Sequence, residues 1–304
     1  MSQHVRIFEV SPRDGLQNEP RFIDSADKVR LIDLLSACGF AQIEATSFVS
    51  PKWVPQLADA ATVMAAIDRA PAATYHALVP NMRGLEAAIE AGLDGVAVFA
   101  AASEGFSQQN INCSIAESLD RFRPVLAAAR RHNMPVRGCI SMVTDCPFDG
   151  PTDPQIVAKL AGALIDMGCY EIALGDTVGK AVPDSIARML AAVVKTVPPA
   201  QLAGHYHDTG GRAIDNIRTS LDFGLRCFDA SVGGLGGCPY APGAAGNVAS
   251  ESVLLMLTKA GYSTGLDPDR VAAAAQFANS LRPAATAPQN RQDENDRYPP
   301  NAGS

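Results

Sequence analysis

Short runs of β-branched and apolar residues alternate along this chain with longer segments of helical period, and the alternation repeats eight times. VRIFEV (5–10) precedes a helical segment over 24–38, AQIEATSF (41–48) one over 56–69, and TYHALV (74–79) one over 82–91. GVAVFAA (95–101) is followed by 115–132, VRGCISM (136–142) by 154–167, and EIALGD (171–176) by 183–197. LAGHYHD (202–208) leads to 213–223 and CFDASV (227–232) to 249–261. Eight strand-then-helix units predict a parallel α/β fold closed as a (β/α)₈ TIM barrel. An open doubly wound sheet would need a phosphate-gripping GxGxxG after its first strand, and SPRDGLQNE stands there instead.

One more amphipathic helix is predicted over 267–281. Beyond it the residues turn to Pro, Ala, Asn, Gln and Asp, as in TAPQNRQDENDRYPPNAGS. The expected organisation is a catalytic barrel over 1–283 and a disordered tail over 284–304. The stretch GLGGCPYAPGAAGN (234–247) is too rich in glycine and proline for a helix or a central strand.

Composition narrows the function. The chain has 304 residues, 47% hydrophobic and 19% charged, enough to bury a large core. MSQHVRIFEV lacks the basic and apolar regions of a secretion signal, and no segment approaches the roughly 18 apolar residues of a membrane span. A cytoplasmic setting with no membrane partner is expected. A net charge of -7 argues against nucleic acid and for a small-molecule partner. Seven cysteines, an odd number without a CxxC pair, are expected as reduced thiols.

In such a barrel, chemistry gathers at the carboxyl ends of the strands. Arg13 and Asp14 follow the first strand, although a Pro/Asp/Gly turn by itself accounts for Asp14. His205 and His207 are two apart on the seventh strand, so both rings face the barrel mouth, an arrangement suited to a metal. Asn247 closes the glycine loop, where its side-chain oxygen either completes a coordination shell or caps a helix. Glu44 and Asp176 end the second and sixth strands. Glu44, set in an apolar run, needs a partner, for which Arg13 is the candidate. Two imidazoles, a carboxylate and an amide oxygen without thiolate suit a divalent cation, Mg²⁺ or Mn²⁺ first, with Co²⁺ and Zn²⁺ as alternatives.

SPRDGLQNE (11–19), SFVSPKWVPQ (47–56), NINCSI (110–115), GCYEIALGDT (168–177), HYHDT (205–209) and GLGGCPYAPGAAGN (234–247) together resemble the 3-hydroxy-3-methylglutaryl-CoA lyases, from about Val5 to Leu281. The resemblance implies metal-dependent cleavage of that acyl-CoA to acetyl-CoA and acetoacetate, in leucine breakdown or ketone-body formation, by a homodimer. It matches Asp14, His205, His207 and Asn247 to the metal ligands and Arg13, Glu44, Asp176 and Cys238 to the catalytic set. His205 joins that set as an alternative to Asp14 for the base, and Arg13, Gln17, Asn110 and Arg137 are expected to touch substrate. Cys238, protonated at neutral pH, is the expected acid that delivers a proton to carbon, on a loop whose glycines let it close over substrate.

Departures from the family pattern bear on the acyl group. Cys139 stands where the family often has Tyr, Ala173 where Ser is usual, and Gln108 and Gln109 where lysines would meet CoA phosphates. A longer 3-hydroxy-3-alkylglutaryl-CoA, or citramalyl-CoA, is therefore the alternative substrate.

Overall fold

The computed structural model describes residues 3–238 and 241–282, with backbone alone at 238 and 241–245. The tail expected to be disordered, 284–304, lies outside the described residues. Eight parallel strands close into a barrel: β1 (Arg6–Glu9), β2 (Gln42–Ser47), β3 (Thr74–Leu78), β4 (Gly95–Ala101), β5 (Val136–Ser141), β6 (Glu171–Asp176), β7 (Leu202–Tyr206) and β8 (Cys227–Ala230). Each pairs with its sequence neighbours, and β8 closes on β1 with Arg6 opposite Cys227 and Ala230 opposite Glu9.

Strand alternation divides the side chains. Ile7, Ile43, Tyr75, Ala77, Val96, Val98, Ile140, Ile172, Leu174, Leu202 and Phe228 point outward into one continuous core beneath the helices. That shell comprises α1 (Ser25–Ala37), α2 (Ala60–Ala66), α3 (Met82–Glu90), α4 (Glu104–Ile111), α5 (Ile115–Arg131), α6 (Pro154–Asp166), α7 (Pro183–Val193), α8 (Ala213–Asp222), α9 (Ser250–Lys259) and α10 (Pro268–Ser280). Local chemistry sets their ends: Ser114 and Glu117 form a reciprocal capping box on α5, and Asp153 caps α6 just before Pro154. Among the described residues no helix is long and apolar enough to cross a membrane.

Two segments differ from the sequence pattern. The helix expected over 56–69 is a single 3₁₀ turn, Pro55–Leu57, followed by the short α2. Asp59 is drawn to Lys28 at 2.7 Å, and Asp33 holds the Asp68 amide at 2.8 Å, which leads the chain away from the helix axis. The pattern also gives no sign of α4, which starts at a Ser103 cap and stops where Asn112 turns left-handed.

The barrel interior carries a polar column among apolar layers. At the amino-terminal end Arg6 pairs with Glu171 and Gln42. Glu171 accepts from Arg137 Nε at 2.9 Å, and Arg137 grips Asp229 with both terminal nitrogens, at 2.9 and 2.7 Å. Asp229 reaches His205, so the column climbs to the mouth.

Candidate metal centre at the barrel mouth

Arg13 and Asp14 reach the mouth on a tight π-type turn, Ser11–Gly15, that follows β1 directly. The Pro/Asp/Gly pattern gives a turn here, as expected, of π type. The turn fits because Gly15 has no Cβ, which would come within 2.8 Å of Leu235 Cβ. His205 lies on β7. His207, one inward step further, bridges to Asn247 at the end of the glycine loop.

Asp14, His205 and His207 each offer a ligand atom, and these atoms lie within 4.8 Å of one another. That spread suits donors sharing one cation at 2.0–2.6 Å. Asp14 Oδ2 sits 3.8 Å from Nε2 of each imidazole, too far for a hydrogen bond. Both ring nitrogens of His207 are buried without a hydrogen-bond partner among the described residues. A buried imidazole left unsatisfied is costly, and a cation relieves it. Asn247 joins through its amide nitrogen, which donates to Asp14 Oδ2 at 2.7 Å and to the Leu235 carbonyl at 3.2 Å. The Asp14, His205 and His207 atoms therefore fit a divalent cation, whereas Asn247 presents its amide N–H here and not the side-chain oxygen expected of a ligand.

Electrostatics keep the cluster charged. Burial disfavours the Asp14 carboxylate, but the Arg13 guanidinium and the two imidazoles outweigh it and hold Asp14 well below its ordinary range. Burial likewise opposes charge on His205, and its bond to Asp229 together with the Asp14 charge more than offsets this, raising its pKa. Arg13 donates to Glu44 Oε2 at 2.6 Å and to Asp14 Oδ1 at 2.5 Å, the pairing expected for a carboxylate in the apolar β2 run. Its remaining terminal nitrogen is not engaged by either carboxylate.

The other sequence-predicted residues fall in different places. Asp176 ends β6, but its oxygens accept from the Gly179 and Ala181 amides at 3.1 and 2.9 Å, folding the loop beside the cluster. Gln17 follows the Arg-Asp turn with its buried side-chain oxygen unpartnered among the described residues. Asn110 is exposed on α4 in the connection after β4. Arg137, expected at the substrate, is instead 2% exposed inside the barrel, its guanidinium committed to Glu171 and Asp229. A β5 position two turns of the alternation below the mouth accounts for that placement. Cys238 pairs through its backbone with Ala241 in a two-stranded ribbon, Gly237–Cys238 against Ala241–Ala245; its side chain lies outside the described residues.

Two residues escaped the sequence reading. Asp229 lies on the same face of CFDASV as Cys227 and Ser231, and its register opposite His205 was the missing clue. Ser47, at the end of β2, is turned inward by a bulge between Glu44 and Thr46, and its buried hydroxyl has no partner among the described residues. One layer beneath His205, half-buried Cys139 lines an apolar floor with Phe8, Val10, Ala173, Ala203 and Cys227.

The sequence and the fold both match known proteins. The family model described as HMGL-like matches residues 4–278. The chain is 57% identical, over 88% of its length and 89% of the relative's, to a Pseudomonas aeruginosa protein named 3-hydroxy-3-isohexenylglutaryl-CoA/hydroxy-methylglutaryl-CoA lyase. Among solved structures, the HMG-CoA lyase of Brucella melitensis superposes with a TM-score of 0.92 at 58% identity, covering 92% of this chain and 99% of that one. An Acinetobacter HMG-CoA lyase solved with coenzyme A and 3-methylmalate superposes with a TM-score of 0.87 at 33% identity, covering 97% of each.

Proposed function

The chain belongs to the 3-hydroxy-3-methylglutaryl-CoA lyase family of carbon–carbon lyases, and on that premise we propose that it cleaves this acyl-CoA to acetyl-CoA and acetoacetate at the Asp14–His205–His207–Asn247 cluster. The observation that carries the reading is the convergence of three ligand atoms within 4.8 Å around a His207 ring whose buried nitrogens have no hydrogen-bond partner among the described residues.

The bond between C2 and C3 breaks when the C3 hydroxyl loses its proton and the departing carbon passes its electrons to the thioester. Asp14, His205, His207 and Asn247 would hold a divalent cation, Mg²⁺ or Mn²⁺ on the nitrogen-and-oxygen character of the donors, which would lower the pKa of that hydroxyl. Asp14 accepts that proton while His205 ligates through Nε2, and His205 is the alternative acceptor only when its Nε2 is off the cation. Arg13, pinned by Glu44 and Asp14 and kept charged by them, stabilises the enolate oxygen. Cys238 returns a proton to carbon, and the proton taken from the hydroxyl restores the balance. The thiol works from a ribbon that closes over substrate and excludes water. Asp176 shapes the adjacent loop, and Gln17 and Asn110 supply polar contacts to the acyl-CoA. A homodimer is carried over from the family.

A second reading has its own support: the floor beneath the cluster is lined by the small side chains of Cys139, Ala173 and Ala203, and the Pseudomonas relative's name includes a longer acyl group. On this reading the chain also accepts longer 3-alkyl substituents. Purified protein incubated with 3-hydroxy-3-methylglutaryl-CoA and Mg²⁺ should release acetyl-CoA and acetoacetate in equal amounts and stop on chelation. Assaying the isohexenyl and citramalyl analogues in parallel resolves the acyl preference. Failure to cleave any of them would overturn the lyase reading.

A further inference from the structure

We propose that Asp229, locked in place by Arg137, is a positioning residue that selects the tautomer of His205 and so presents Nε2 to the cation. The inference rests on the reading of Asp14, His205, His207 and Asn247 as ligands. His205 Nδ1 lies 3.0 Å from Asp229 Oδ2, inside hydrogen-bond range, whereas Nε2 faces Asp14 at 3.8 Å. A carboxylate only accepts, so the Nδ1 proton must sit between ring and carboxylate. That leaves the Nε2 lone pair free on the side where Asp14 and His207 converge.

The carboxylate cannot turn away. Arg137 Nη1 and Nη2 hold its two oxygens at 2.9 and 2.7 Å, and Arg137 is itself fixed by Nε on Glu171 at 2.9 Å and by its stacking 4.2 Å over the Phe8 ring. Asp229 and Arg137 are 3% and 2% exposed, so water does not compete for either. Neutral histidine has two tautomers of similar energy, and only the one protonated at Nδ1 can ligate through Nε2. Outer carboxylates of this kind commonly change metal affinity by roughly 10–100-fold when removed. The interior column therefore does more than fill the barrel: its top step sets the direction of a ligand lone pair.

Two measurements test this. In metal-free wild-type protein labelled with ¹⁵N-histidine, at a pH where the ring is neutral, long-range proton–nitrogen correlation should show His205 protonated at Nδ1. Protonation at Nε2 would overturn the proposal without bearing on lyase activity. Asp229→Asn should then bind Mn²⁺, followed by electron paramagnetic resonance of the free ion, roughly 10–100-fold more weakly than wild type. The variant's circular dichroism and melting profile are recorded beside it. Wild-type affinity in a folded Asp229→Asn protein would also overturn the proposal. Absence of Mn²⁺ binding by wild type would overturn the cation reading, and this inference with it.

Discussion

His207 shows at the scale of one residue how the site declares its chemistry: a buried ring with no hydrogen-bond partner among the described residues, facing an ionised carboxylate. His207→Ala should retain the fold and lose Mn²⁺-dependent turnover by at least roughly 10²-fold, checked by steady-state assay across a Mn²⁺ titration. Cys238→Ser should keep cation affinity and lose roughly 10²–10⁴-fold in kcat, the range of general-acid contributions; near-normal turnover would remove the thiol from the mechanism. The facing of His205 and His207 was legible because period two on a strand fixes which side chains share a face, whereas Asp14, on the turn after β1, was reached only through the family resemblance. Asp229 and Ser47 were not legible, because one depends on register between neighbouring strands and the other on a bulge that shifts the alternation. The placement of Arg137 was hidden for a related reason: the two carboxylates that claim it, Glu171 and Asp229, come from other strands, and only their register brings them to it.

At the level of elements, the β1 turn and the glycine loop are one assembly. Glu9, wholly buried at the end of β1, accepts from the Ser11 amide at 3.0 Å, the Val232 amide at 3.1 Å and the Ser250 hydroxyl at 2.6 Å. It thereby ties the Arg-Asp turn to both ends of the loop that carries Cys238 and Asn247. Burial, only partly offset by those donors, pushes the Glu9 carboxyl up from 4.5 to about 7. An acid raised in the folded state adds stability that is complete below its unfolded pKa and is lost as pH rises through the folded one. Wild type relative to Glu9→Gln should therefore lose about 3 kcal/mol between pH 4.5 and 7, read by urea denaturation across that window. Equal slopes in the two proteins would contradict the assignment. Gly236 makes the loop's other demand: its φ is +115°, and a Cβ there would meet Asn247 Nδ2 at 2.7 Å. Gly236→Ala should cost about 1–3 kcal/mol in melting experiments and weaken Mn²⁺ binding, since Asn247 must move.

For the whole molecule, the barrel was readable because eight strand-to-helix alternations survive in the apolar pattern, and the outward faces of those strands form one core. The short α2 and the added α4 were hidden, as tertiary pairs such as Lys28–Asp59 override local propensity. A cation bound only by the folded barrel stabilises it by mass action, about 2.7 kcal/mol at a hundredfold excess over Kd, so saturating Mn²⁺ should raise Tm by several degrees in wild type and not in His207→Ala. Asp14, His205, His207 and Asn247 are proposed to hold the divalent cation on which cleavage depends. Anomalous diffraction from crystals grown with Mn²⁺ tests this most directly. The expected result is a single strong peak bounded by those four side chains; a peak elsewhere, or none at saturating Mn²⁺, would contradict the account.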